Sequence, residues 1–261
     1  NPMNQSVAYF SKDILANDIA VNPLYSVLQD ASIKSNIPDS SVYKFRSNED
    51  AQNIIADDFL VSNDTSISIL QVDKPNLVFI FLESWSADNI GILGGLNNCS
   101  PQFDRLCNEG LLFTQTYANA YVSDQGIPAV LSAAPAVSRV AIINQPAKVH
   151  GLPCISEEFR QLGYHTSFLY GGELIFGNLK GYLHEKGFHT LIEQSDLDQY
   201  PKGSLGVHDE YMFPELLQQL NASKPPFMQC FFTTSSHMPY DFTPSDNWQS
   251  DPKDPEKKYT E

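Results

Sequence analysis

Residues 76–84 read Asn76-Leu77-Val78-Phe79-Ile80-Phe81-Leu82-Glu83-Ser84. Six apolar residues in a row, with no alternation of period two, describe a strand covered on both faces. Such strands belong to parallel sheets enclosed by helices, so this stretch points to a layered α/β fold. The run ends on a carboxylate, Glu83. Charge at the end of a buried strand is costly unless it is paired, hydrogen-bonded or bound to a metal. Ligands of parallel sheets bind at the carboxyl ends of strands, which makes Glu83 a candidate site residue as well as a boundary.

The chain beyond it repeats the alternation. Ser100-Pro101 opens a helix, Phe103, Leu106 and Cys107 give that helix one apolar side, and Gly110 closes it. Leu111 to Tyr117 reads as a strand and Pro128 to Ala133 as a short helix. Cys154 to Leu162 is a helix ended by Gly163, and the strand Tyr164 to Tyr170 follows. Lys180 to Lys186 is helical and stops at Gly187. Asp209 caps a helix from Glu210 to about Leu220, and Phe227 to Thr233 is a second fully buried strand. The expected architecture is a three-layer α/β/α fold with a mostly parallel central sheet. The residues to inspect at its strand ends are Glu83, Gly171-Gly172 and Ser235-Ser236-His237.

Residues 1–74 differ in character. They are polar, contain no Gly, and include Asn22-Pro23, Ile37-Pro38 and the acidic residues Glu49, Asp50, Asp57 and Asp58. Leu24, Val27, Leu28 and Ala31 fall at helical spacing, so Leu24 to Ile33 reads as a helix. This part is read as a helical N-terminal arm or linker, and 75–261 as the domain that carries the chemistry.

Composition narrows the function. Apolar residues make up 42% of the chain, with 16 Phe and 12 Tyr, which excludes a disordered polymer. The 31 acids and 16 bases leave a formal charge of −15, which disfavours nucleic acid as a partner. Phosphate chemistry remains open, but only through a local cation such as a metal ion. The apolar run at Leu77–Leu82 falls far short of the roughly 20 residues of a bilayer-spanning helix. The opening Asn1-Pro2-Met3-Asn4-Gln5 lacks the basic start and apolar stretch of a signal peptide. Cys99, Cys107, Cys154 and Cys230 are too sparse for a disulfide framework and read as mostly buried thiols, with a Cys99–Cys107 bridge open in an oxidising compartment.

Three further residues gain weight from their positions. Ser123, in Tyr121-Val-Ser-Asp-Gln-Gly126, precedes a helical stretch, where backbone amides and the dipole favour an incoming anion; it also suits an ordinary cap. His237, in Thr233-Thr-Ser-Ser-His-Met-Pro239, follows the last buried strand, and Glu83 ends the first. Taken with Ser100-Pro-Gln-Phe-Asp-Arg-Leu-Cys-Asn-Glu-Gly-Leu-Leu-Phe113, Tyr117-Ala-Asn119, Gly126-Ile-Pro-Ala-Val-Leu-Ser132 and Ser236-His-Met-Pro-Tyr240, this order of motifs resembles the alkaline phosphatase superfamily. More narrowly it resembles the lipoteichoic acid synthase-like branch grouped with the sulfatases. The resemblance covers about 75 to 261.

The resemblance implies a metal-dependent phosphotransferase that moves phosphoglycerol or a related headgroup from a lipid-linked phosphodiester to a glycolipid or glycan acceptor. Glu83 matches the family's first metal carboxylate. Ser123 matches the nucleophile, which also binds the metal and forms a covalent phospho-enzyme. His237 matches a histidine near the substrate phosphate. The implied cofactor is a divalent ion, Mn²⁺ foremost, with Mg²⁺ or Zn²⁺ as alternatives. The implied location is the extracytoplasmic face of a bacterial cell membrane, with a membrane-anchored parent protein.

Four departures qualify the match. The family usually carries Thr where Ser123 stands, although either hydroxyl can act. The Trp and Arg with which lipoteichoic acid synthases grip glycerol phosphate are absent from Gly171-Gly-Glu-Leu-Ile-Phe-Gly-Asn-Leu-Lys180. The family's downstream Asp-His metal pair is also absent, so the chain reads as a partial catalytic domain, inactive by itself. Sulfatases that use formylglycine carry Cys/Ser-x-Pro-x-Arg; Cys99-Ser-Pro-Gln-Phe103 has Phe for the Arg and follows Glu83 by only 16 positions. Sulfate-ester or soluble phosphate-ester hydrolysis and a non-catalytic binding domain of the same fold are the alternatives.

Overall fold

The computed structural model describes residues 5–11, 13–36, 46–59, 70, 72–96, 99–137 and 140–241. Ile37-Pro38 and the last part of the expected domain, 242–261, lie outside the described residues. Two compact units form, one from residues 1–20 and 76–261, the other from 21–75.

In the sheet-bearing unit, a 3-10 turn at Gln5–Ala8 precedes α1 (Ile14–Ala20). The smaller unit holds α2 (Pro23–Asn36) and α3 (Asn48–Phe59). Helix α2 contains the expected Leu24–Ile33 stretch, begun by Asn22, whose side chain accepts the Leu24 amide at 2.9 Å. Two of the four acids have a local reason: Glu49 and Asp50 fill the first turn of α3, where the helix dipole favours negative charge. Ser47 Oγ accepts the Asp50 amide and donates to its carboxylate at 2.7 Å.

The sheet-bearing unit continues with β1 (Leu77–Phe81), α4 (Pro101–Glu109), α5 (Ser123–Ser132), α6 (Pro146–His150), α7 (Ile155–Gln161), β2 (His165–Tyr170), α8 (Leu179–Glu185) and β3 (Thr190–Ile192). A two-stranded antiparallel ribbon, β4 (Lys202–Gly203) and β5 (Gly206–Val207), leads into α9 (Asp209–Ala222) and then β6 (Phe227–Phe232). The main sheet runs β1-β6-β2-β3 and every pairing in it is parallel. Every residue of β6 is buried, as its continuous apolar run requires.

Alternation along the strands divides the core into two layers. Phe168 of β2 and Met228, Cys230 and Phe232 of β6 pack with Ile127 and Leu131 of α5, Val149 of α6 and Tyr182 and Leu183 of α8. Leu169 and Phe231 face the other way, onto Met212 and Leu216 of α9. Helices thus flank the sheet on both faces, the three-layer arrangement expected. Among the described residues, however, β1 is an edge strand and is not covered on both faces as its apolar run implied: Val78 and Ile80 are 43% and 45% exposed. The N-terminal turn docks on it through Ser6. Its backbone N–H and hydroxyl both donate to Asn178 Oδ1, at 3.0 and 2.7 Å, and its Oγ accepts the Gly181 amide.

Two expectations fail. Residues 111–117 form irregular backbone and a turn instead of a strand, and Leu111, Phe113 and Tyr117 are 67%, 75% and 86% exposed. A strand needs a neighbour for its N–H and C=O groups, and none pairs with this segment among the described residues. Helix α5 starts at Ser123, five residues before the expected Pro128. The proline lies inside the helix, where it removes one backbone bond without ending it. No two of the cysteines are bridged, and only Cys154 and Cys230 are buried.

Candidate active site

The carboxyl ends of β1, β2 and β6 lie side by side, because β6 pairs with both neighbours in register up to Phe232. The ladder continues one residue further: the Thr233 amide donates to Phe81 O at 3.0 Å, and Thr233 Oγ1 accepts the Glu83 amide at 2.9 Å. Glu83 is thus fixed to the central strand at the mouth of the sheet. Ser84, immediately after it, adopts φ +58, a conformation that a non-glycine residue holds only where its surroundings impose it.

Ser123 is the first residue of α5. Val122 occupies the cap position with extended backbone, so the serine hydroxyl is not used to cap its own helix. It donates instead to Glu83 Oε2 at 2.7 Å, while Ser84 Oγ donates to Oε1 at 3.2 Å. Both Glu83 and Ser123 are half-buried, open enough to meet a ligand.

His237 is exposed on the turn after β6, its amide donating to Thr234 O at 3.0 Å. Ring Nδ1 lies 2.6 Å from Met238 O, an atom that can only accept, so Nδ1 carries a proton. That leaves Nε2 an acceptor when the ring is neutral and a donor only in the imidazolium. This turn is tied to the β1 loop by Trp85, whose Nε1–H donates to Ser236 Oγ at 3.2 Å; its ring meets Phe103 edge-on at 5.4 Å.

Three residues at this mouth escaped the sequence reading. Tyr170, the last residue of β2, stacks on Phe232; burial, then the charges of Glu83 and Asp209, push its phenol up to about 12. Its signal was adjacency to Gly171-Gly172. Those glycines serve close packing: a Cβ on Gly171 would strike the Val207 carbonyl, and one on Gly172 would lie 2.6 Å from the Tyr170 ring. Asp124, beside Ser123, has a buried Oδ1 with no hydrogen-bond partner among the described residues. Burial raises its pKa above the usual carboxylate value, against the opposing effect of the Asp124 and Gln125 amides. Asp209 was expected to cap α9. His208 occupies that position, and the Asp209 carboxylate turns to the amides of Thr234 and Ser235. The sequence carries no signal for that long-range bond.

The donor chemistry suits a hard divalent cation in part. Glu83 and Ser123 bring oxygens together at the spacing that two ligands of one ion adopt. Among the described residues no cluster of three or more His, Cys, Asp or Glu side chains could enclose a metal. No described helix is long and apolar enough to cross a membrane.

A parallel sheet between helix layers, with a hydroxyl at a helix start against a strand-end carboxylate, defines an alkaline phosphatase-like protein. The sulfatase family matches residues 75–258, and the chain belongs to that family. A protein in the alkaline phosphatase superfamily from Vibrio parahaemolyticus is 33% identical, with a TM-score of 0.66 over 73% of this chain and 48% of that one. The lipoteichoic acid synthase LtaP from Listeria monocytogenes shares the fold at 20% identity, TM-score 0.58, over 72% and 48% of the two chains. The C-terminal periplasmic domain of EcEptC from Escherichia coli, in a complex with Zn, shares it at 13% identity, TM-score 0.55, over 72% and 56%. The chain therefore spans about half the length of these solved structures.

Proposed function

We propose that this chain supplies the nucleophile and one metal carboxylate of a phosphotransferase that moves phosphoglycerol or a related headgroup. The donor would be a lipid-linked phosphodiester, the acceptor a glycolipid or glycan, and the setting the extracytoplasmic face of a bacterial membrane. The observation that carries the reading is the Ser123–Glu83 hydrogen bond of 2.7 Å. It presents an acceptor to the one proton that Ser123 must lose to become a nucleophile. Membership of the sulfatase family and the fold shared with LtaP and EcEptC support the class of reaction.

The residues act in a definite order. Ser123 Oγ attacks phosphorus, the bond to the lipid oxygen breaks, and the leaving oxygen takes up a proton; the headgroup phosphate is left esterified to Ser123. The acceptor hydroxyl then attacks the same phosphorus and releases Ser123. His237, as imidazolium, donates from Nε2 to a phosphoryl oxygen, and Trp85 and Phe103 hold the neighbouring loop. Glu83 and Ser123 would bind a divalent ion, Mn²⁺ foremost, which when bound lowers the hydroxyl pKa and offsets phosphoryl charge. Incubating full-length protein with a donor labelled in the headgroup and mapping the labelled peptide tests the reading. Label on Ser123 is expected; label on another residue, or turnover without any covalent adduct, refutes it.

A further inference from the structure

Asp209 begins α9, yet its side chain serves a different element. Its Oδ1 accepts the Thr234 amide at 2.9 Å and its Oδ2 the Ser235 amide at 2.9 Å. Thr234 Oγ1 donates to Oδ1 at 3.4 Å, and also to Val207 O at 3.3 Å. In return the Asp209 amide donates to Ser235 Oγ at 2.9 Å. The start of α9 and the turn after β6, about 25 residues apart, exchange hydrogen bonds in both directions. The turn carries this restraint onward, because Thr234 O accepts the His237 amide.

A capping role does not explain this geometry. Asn serves a helix start about as well as Asp. Here the Thr234 amide meets both carboxylate oxygens, Oδ1 at 2.9 and Oδ2 at 3.2 Å, and the Ser235 amide meets Oδ2, so both oxygens must accept. Whichever way an Asn amide is turned, Nδ2 meets a backbone N–H donor to donor: the Ser235 and Thr234 amides if it takes the place of Oδ2, the Thr234 amide if it takes that of Oδ1. The carboxylate is also expensive to hold in place: burial raises its pKa, and the Thr234 and Ser235 bonds oppose that rise. Charged hydrogen bonds to backbone amides are among the stronger ones, which suits a group that fixes a turn.

We infer that Asp209 is a positioning residue for His237, setting the turn that aims the imidazole at the phosphoryl group. The inference rests on the role proposed for His237 and adds a residue to it. Tyr170 lies within charge range of the same carboxylate and of Glu83, so the restraint is built at the mouth of the site.

The test is a double-mutant cycle in the full-length protein, read together with hydrogen exchange of the peptide spanning 233–238. Asp209→Asn should lower kcat/KM by about 10–100-fold, the usual loss when a group that orients a site residue is removed. The double variant Asp209→Asn/His237→Ala should be no slower than His237→Ala alone, since the turn then has nothing to aim. Exchange at Thr234 and Ser235 should speed up while α9 keeps its protection. If Asp209→Asn does not fold, Ser235→Ala carries the test, with the same non-additivity expected. Multiplicative losses in the cycle, or an unchanged exchange rate at the turn, overturn the inference alone. A His237→Ala variant at wild-type rate overturns the role of His237, and the inference falls with it.

Discussion

Ser123 and Glu83, forty positions apart, meet through a 2.7 Å hydrogen bond from the serine hydroxyl to Oε2. The contact joins the first residue of α5 to the end of β1, two elements that the sheet and its helical layer bring together independently. Neither residue is held only by the other: the Glu83 amide is fixed on Thr233, and Ser123 by the helix it begins.

Removal of Ser123 is the sharpest test of that contact. Ser123→Ala in the full-length protein should abolish headgroup release from a labelled lipid donor. Ser132 cannot stand in, since it is buried on Tyr182. Ser123→Thr keeps a hydroxyl in the position where the wider family usually has one, and should retain a measurable fraction of activity. Near-normal turnover by the alanine variant would place the nucleophile elsewhere.

Glu83→Ala should resemble Ser123→Ala in the same assay, because on the proposed reading it removes both the proton acceptor and a metal carboxylate. Excess divalent metal should restore part of its activity and none of that of Ser123→Ala. Equal rescue of the two variants, or rescue of neither, would argue against a metal-binding role for Glu83.

His237→Ala should weaken transfer without abolishing it, by about 10²–10³-fold, the usual loss for one donor to a developing charge. Because Nδ1–H is engaged by Met238 O, Nε2 donates only when the ring is protonated. An alanine variant at the wild-type rate would remove His237 from the phosphate site.

The chain by itself should bind Mn²⁺ weakly. Glu83 and Ser123 supply two oxygens, whereas hard cations hold six or more, so water would fill most of the shell. Titration calorimetry is expected to give a dissociation constant no tighter than the millimolar range of the most weakly held protein sites. Micromolar binding would mean that further side chains complete the shell.

The parts legible in the sequence share a cause. β6 could be read because a strand buried on both faces needs an unbroken apolar run, a property of the strand alone. β1 has the same run but lies at the edge of the described sheet with Val78 and Ile80 exposed, so its strand was legible and its burial was not. Glu83 and Ser123 could be paired because several motifs stand in order along the chain, even though neither residue is distinctive singly. What stayed hidden depends on partners far away. Leu111–Tyr117 had strand-like composition, but no described strand pairs with it. Asp209 had the composition of a cap and spends its carboxylate on amides across the fold. The same holds for Pro128, which an isolated reading sets at a helix start and the packing of Ile127 and Leu131 draws inside the helix.

Asp124 offers a test by stability rather than activity. Its Oδ1 is buried without a hydrogen-bond partner among the described residues, beside Gly177, whose Cβ position would lie 3.3 Å from the Asp124 Cβ. Burial is the largest influence on its pKa and raises it above the usual carboxylate value, while the Asp124 and Gln125 amides pull the other way. An acid whose pKa is higher folded than unfolded binds its proton more tightly in the fold. Its contribution to stability is therefore complete below the unfolded value of 3.8 and is lost as pH rises through the raised folded value. At neutral pH the charged carboxylate is a liability. Asp124→Asn removes the charge and keeps the shape, so it should raise the Tm at pH 7.5 by about 2–4 °C, what ~1 kcal/mol amounts to in a chain of this size. The gain should shrink steadily as the pH is lowered toward 4, where the wild-type carboxyl is itself becoming neutral. Thermal melts of the two proteins across that range decide it. A gain that is constant with pH would trace the effect to packing, and a loss at pH 7.5 would show that the Asp124 charge is held by the two amides more firmly than burial opposes it.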